Sequence, residues 1–142
     1  MGQLPIFGTS AGTSTPRIVN VRQGQQVFRQ MVLNSYDRKC AITGIAQSEF
    51  LIAGHIKTWA DDPANRMNPR NGICLNRLHD KAFEDGLIAI EPTGRVLYSS
   101  KLDAVTQSRM EAMNDSGRFV MPTKFKPDPE FLEEHRRHRF HP

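Results

Sequence analysis

Much that would narrow the function of a small basic chain is missing from these 142 residues. No run of ~18 apolar residues occurs, so nothing is expected to span a membrane. Residues 1–14 lack a basic stretch followed by a long apolar one, so no secretory signal is expected there. Cysteine is scarce: Cys40 and Cys74 are the only two. Two thiols without a secretory signal fit a reducing compartment, and the expected location is the cytoplasm. Nor is a disulfide framework needed, because a single domain of this length buries roughly two thirds of its unfolded surface. No internal repeat is present. What remains is ordinary for a globular chain: 38% hydrophobic and 24% charged residues.

The net charge is +4 and the pI about 9.4, and the excess is not evenly spread. Residues 1–48 carry Arg17, Arg22, Arg29, Arg38 and Lys39 against Asp37 alone, while residues 49–142 carry fourteen charges of each sign. A basic face in that first third could follow a phosphate backbone. The plainer reading is a solvated helix face.

Residues 1–20 are rich in Gly, Ser, Thr and Pro and read as a flexible tail or linker, which leaves open that the chain is part of a larger protein. Gln23 to Lys39 reads as a helix, with Val27, Met31 and Val32 on its apolar face and Phe28 and Tyr36 near the edges. Cys40 to Gly44 reads as a short strand ending in a turn. Glu49 to Ile56 is β-permissive and delivers His55 at a strand end. Lys57 to Arg70, with Asp61-Asp62-Pro63 and Asn68-Pro69, reads as a long loop with one helical turn after Asp61. Gly72 to Leu75 is a second strand. Asn76 caps a helix running to about Asp85, stopped by Gly86, with Leu78, Ala82 and Phe83 buried. Leu87 to Ile90 and Arg95 to Tyr98 flank Pro92-Thr93-Gly94 as a hairpin. Leu102 to Met113 and Glu130 to Arg139 complete the helices, the last with Asp128 as N-cap and Pro129 at its first position.

Three residues carry candidate chemistry. Hydrolysis of a phosphodiester needs an activated water and a countercharge for the leaving oxygen. His55 suits the base, because an imidazole of pKa about 6.5 is mostly neutral at neutral pH. His79, early in a helix, suits a metal ligand, with Asp80 beside it. Asn71 cannot take a proton, so its amide is better used to tie the long loop or to orient His55. Taken singly, each has a plainer explanation: a satisfied histidine, an Asn-Gly turn, a carboxylate at a helix N-terminus. Trp59 reads as a packing anchor for the long loop. His135, His138 and His141 sit among Arg136, Arg137 and Arg139, which would repel a cation, and read as a basic solvated end that could meet phosphate.

The ordered set Ala53-Gly54-His55-Ile56, Asn71-Gly72-Ile73-Cys74-Leu75 and His79-Asp80-Lys81-Ala82-Phe83-Glu84-Asp85-Gly86 resembles the HNH endonuclease family. Arg22 to Gln25, Phe28-Arg29, Tyr36, Cys40 to Gly44 and the closing Pro127 to Phe140 resemble the branch found in bacterial restriction-type endonucleases. The resemblance covers roughly residues 22–140. It implies an α+β fold over residues 21–142: a ββα-metal core with an extra β-hairpin and flanking helices at both ends. It further implies that His55 is the general base, that Asn71 steadies the loop, that His79 binds metal, and that the products carry 5′-phosphate and 3′-hydroxyl ends.

The chain departs from the family in three places. Gly54 stands where many members have a metal-binding side chain. Phe83 stands where some have a further histidine and must be core. Thr43 stands where a thiol would complete a Cys pair, so a four-cysteine structural zinc is impossible. The metal shell is therefore incomplete and completed by water, substrate phosphate, Asp80 or Asp62. That favours one exchangeable divalent ion, magnesium or manganese ahead of zinc or nickel. The expected partner is double-stranded DNA, met by Arg22, Arg29, Lys57, Arg70 and Arg77. A homodimer is attractive because cutting both strands calls for two active sites. The rival expectation, favoured by Gly54 and Phe83, is a DNA-binding or adaptor module on the same scaffold without catalysis.

Overall fold

The computed structural model describes residues 14–58 and 60–142, with side chains from Val21 onward. The side chains of residues 1–20 and the expected packing of Trp59 lie outside these. The described chain is α+β, with α-helices and two separate two-stranded antiparallel sheets.

Helix α1 spans Ser14–Ser35, starting and ending earlier than its apolar spacing predicts. It stops because Asp37 and Arg38 take positive φ (55° and 56°), outside the right-handed helical region. Its buried face is Phe28, Val32 and Leu33, with Tyr36 buried just past its end, and Val27 is turned outward at 46% exposure. The rotation has a steric cause. Gly72 leaves room that a β-carbon would take from Val32 Cγ2 and Phe28 Cζ, so the Phe28 ring drops into the sheet.

Cys40 to Gly44 forms a turn and not the expected strand. Cys40 N–H donates to Ile45 O at 2.8 Å and Gly44 N–H to Cys40 O at 2.9 Å, so the segment closes on itself. Strand β1 (Leu51–His55) pairs antiparallel with β2 (Gly72–Asn76), Leu51 opposite Asn76 and His55 opposite Gly72. The long connection between them contains two short 3-10 turns, Pro63–Asn65 and Pro69–Asn71.

Helix α2 (Arg77–Glu84) starts directly from β2, with Asn76 as its cap. Its buried residues are His79, Ala82 and Phe83, whereas Leu78 is 49% exposed. Positions 79, 82 and 83 follow the i, i+3, i+4 spacing of a single helical stripe, and 78 falls off it. Strands β3 (Ile88–Ile90) and β4 (Val96–Tyr98) form the second sheet, α3 spans Ala104–Ala112, and α4 spans Pro129–His138 with Asp128 capping and Pro129 in its first turn. Helix α4 packs on β3 and joins Leu132 to a core that includes Ile56, Ile73, Leu75, Ile88 and Ile90.

Candidate active site

The β1–β2 ribbon presents two faces, because side chains alternate along a strand. The His55 ring lies on the α1 face, stacked on Phe28 with centroids 4.1 Å apart and planes 5° from parallel. Its Nε2 is 2.8 Å from Arg66 O. A carbonyl only accepts, so Nε2 carries the ring proton and the basic lone pair is on Nδ1. Partial burial lowers the pKa of His55, opposed by that hydrogen bond, and keeps the ring neutral near pH 7.

Asn71 is fully buried. Its Oδ1 accepts from Lys57 N–H at 2.8 Å, and its Nδ2 donates to Lys57 O at 3.0 Å and Asn65 O at 3.2 Å. The amide thus pins both ends of the long loop. It also holds the peptide next to Arg66, whose carbonyl fixes the His55 tautomer. Asn71 acts on His55 through the backbone, without touching its ring.

Helix α2 covers the opposite face. A β-carbon at Gly54 would collide with Asp80 Oδ1, so the Asp80 carboxylate sits in the space that a side chain at 54 would occupy. Asp80 makes no hydrogen bond or ion pair with the described residues. Burial, with Glu84 adding to it and Arg77 and Lys81 opposing, pushes its carboxyl up to about 6. His79 is completely buried. Asn76 Nδ2 donates to Thr43 Oγ1 at 3.1 Å, which leaves Asn76 Oδ1 as the acceptor for His79 N–H at 2.8 Å. His79 Nδ1 lies 3.2 Å from the same Oδ1 and must therefore carry the ring proton. The lone pair is left on Nε2, which is buried and has no partner. Burial lowers the His79 pKa and keeps that lone pair available.

An orphaned imidazole lone pair and a desolvated carboxylate without hydrogen bonds, on consecutive residues, are the donors a divalent cation takes. Among the described residues no three of His, Cys, Asp and Glu are grouped to hold a metal. These two therefore suit an ion that keeps water or phosphate oxygens in its other positions. Cys40 and Cys74 are buried and unpaired, and burial pushes the Cys74 thiol up to about 12, so it is inert. Asp62 is engaged with Lys57 and Asn65.

The expected DNA-facing cations divide. Arg22, Arg70 and Arg77 are exposed. Arg70 Nε and Arg77 Nε each donate to a backbone carbonyl, Lys126 O and Glu49 O, at 3.0 and 2.9 Å. Arg29 is committed inward: Nη1 donates to Leu51 O at 2.9 Å and fastens the start of β1 to α1. Lys57 bridges Asp62 at 3.1 Å and Glu134 at 2.9 Å. His135, expected at a solvated end, is instead 2% exposed, stacked on Phe83 and hydrogen-bonded to Phe83 O at 2.8 Å. The sequence reading also missed Phe28 as the platform for His55 and the hold of Asn76 on the His79 ring. Only the helix-capping role of Asn76 carried a signal.

The model of a family described as HNH endonuclease matches residues 40–91. Across this span the chain is similar to the HNH endonuclease family. No curated protein matches the chain. The HNH span contains β1, the long loop, β2, α2 and β3, and so includes His55, Asn71 and His79. The family points to a nuclease acting on DNA, and HNH nucleases generally use a divalent metal. No helix among the described residues is long and apolar enough to cross a membrane.

Proposed function

We propose that the chain is a metal-dependent endonuclease of the restriction-type HNH branch that hydrolyses double-stranded DNA with His55 as the general base. The observation that carries this reading is the fixed tautomer of His55: its Nε2 proton is held by Arg66 O and its ring by Phe28, which puts the basic lone pair on Nδ1. The deprotonated water attacks phosphorus, the bond to the 3′ oxygen breaks, and that oxygen takes a proton from solvent and leaves as a hydroxyl while the phosphate stays on the 5′ side. His79 and Asp80 would hold the divalent ion, which when bound supplies countercharge for the leaving oxygen. Their sparse donor set, which leaves most positions to water and phosphate oxygens, favours an exchangeable magnesium or manganese ion over zinc or nickel. Arg22, Arg70 and Arg77 would meet the phosphate backbone, and cleavage of both strands would use two copies. The setting that suits this activity is the cytoplasm, as one domain of a restriction or defence protein.

The test is supercoiled plasmid incubated with purified protein and magnesium or manganese. The wild type should nick it, and His55→Ala should cut slower by roughly 1,000-fold while still retarding DNA at low salt. Near wild-type cleavage by His55→Ala would remove the base assignment. Salt-sensitive retention by the wild type without nicking would favour the binding-module reading, which Gly54 and the stacked core residue Phe83 support.

A further inference from the structure

The family match ends at residue 91, yet a residue far beyond it reaches both halves of the site. Arg139, just after α4, is partly buried and donates from Nη1 to Ile56 O at 3.1 Å and from Nη2 to Glu84 O at 2.8 Å. Ile56 follows His55. Glu84 is the last residue of α2, the helix that carries His79 and Asp80. One planar guanidinium therefore ties the end of the base-bearing strand to the end of the metal-facing helix. The arrangement is favourable locally: Glu84 O is a carbonyl that the C-terminus of α2 leaves unsatisfied, and a cation suits that helix end.

The surrounding backbone is built for this contact. Gly86 has φ 74°, and a β-carbon there would collide with Arg139 O. His141 N–H donates to Gly86 O at 2.9 Å, and Arg139 N–H to His135 O at 2.9 Å. His135 secures the neighbouring carbonyl, Phe83 O. The segment from His135 to His141 thus wraps the C-terminal end of α2, and Arg139 reaches from it to the residue that follows β1.

We infer that Arg139 is a positioning residue for the nuclease reaction, setting the strand that carries His55 relative to α2 from outside the HNH span. The inference rests on the function proposed above. Its charge is spent on carbonyls, so its loss should affect turnover and not DNA affinity. A planar fork that spans two carbonyls is not matched by a lysine, which reaches one at a time.

The experiment compares Arg139→Ala, Arg139→Lys and Arg137→Ala, the last removing the same charge from an exposed neighbour. Plasmid cleavage kinetics and the NMR shifts of the His55 ring are read for each. Arg139→Ala should lower kcat by about 10- to 100-fold with KM little changed, because displacing a reacting group by about 1 Å costs that order. Arg139→Lys should recover part of the rate, and Arg137→Ala should act only on KM. The His55 ring signals should shift in Arg139→Ala and stay fixed in Arg137→Ala. Unchanged kcat in a folded Arg139→Ala, an effect confined to KM, or unmoved His55 signals would overturn the inference. Should Arg139→Ala not fold, Arg139→Lys alone decides, by a lowered kcat with shifted His55 signals or their absence. If the wild type does not cleave at all, the nuclease reading fails, while the NMR comparison still reports whether Arg139 holds His55 in place.

Discussion

His79 on α2 and His135 on α4 are both sunk in the core, at 0% and 2% exposure. Each has one ring nitrogen bonded, to Asn76 Oδ1 and to Phe83 O, and each leaves the other buried and without a partner. Burial lowers the pKa of both. Their surroundings differ in sign. Next to His79 stands a carboxylate with no hydrogen bond among the described residues; close to His135 stands the Arg139 cation, which lowers its pKa further, and the Phe83 ring stacks on it at 3.7 Å. A metal ion is drawn to the first environment and repelled by the second. Burial and an orphaned nitrogen do not by themselves mark a ligand; the charge of the neighbours decides.

The largest effect that could break this comparison comes from exchanging the two side chains separately. His79→Gln keeps most of the volume and removes the imidazole lone pair. It is expected to abolish the rise in Tm that manganese produces in the wild type and to cut DNA cleavage by at least roughly 100-fold, on the scale of losses at metal sites. His135→Ala should lose about 2–4 kcal/mol of stability through a cavity and an unsatisfied Phe83 carbonyl, but its Tm should still rise with manganese. Thermal melts with and without metal check both. A His135 variant that loses its metal response, or a His79 variant that keeps it, would reverse the assignment.

Acid sharpens the contrast next. The folded-state pKa of His135 is lowered to about 4 from 6.5. Between these values the unfolded chain binds the extra proton and the folded chain does not, so stability rises with pH across the window, is complete above about 6.5 and is lost as pH falls toward about 4. The span corresponds to about 3 kcal/mol at most. His135→Leu should flatten the fall in Tm on acidification, leaving a smaller slope from His79 and His55, whose pKa values are also lowered. An unchanged slope would mean that His135 is not held neutral by burial.

How far the sequence discloses this site depends on whether local or distant contacts build it. The α2 cap at Asn76, the stop at Gly86 and the proline-rich loop are local, and their residues announce them. Asp128-Pro129 likewise marks the start of α4 to the residue. The order of His55, Asn71 and His79 places the active-site candidates along the chain. What stays hidden comes from contacts between distant segments. The rotation of α1 that buries Phe28 depends on the missing side chain of Gly72, opposite His55 in the ribbon. The Cys40 turn is closed by backbone hydrogen bonds that no residue type specifies. His135 looks solvated in its arginine-rich run until Phe83 covers it. Arg139 looks like one more surface cation until its two carbonyl partners, 83 and 55 positions away, are in place.

The smallest expected effect isolates the carboxylate that separates the two histidines. Asp80 has its pKa raised to about 6 from 3.8. Here the folded state binds the extra proton, so stability falls as pH rises through that window, and the ionised form is a burden near neutral pH. Asp80 keeps some contact with solvent, so the cost is discounted to about 1 kcal/mol. Asp80→Asn should then raise Tm in metal-free buffer near neutral pH by roughly 3 °C, and the gain should vanish below about pH 4, where both forms are neutral. In manganese the order should invert, because the wild type gains binding energy that the amide gives up. A carboxylate that destabilises the apo protein and stabilises the loaded one is placed for a cation. If Asp80→Asn is neutral in both buffers, the carboxylate is merely surface, and the distinction between His79 and His135 loses its electrostatic basis.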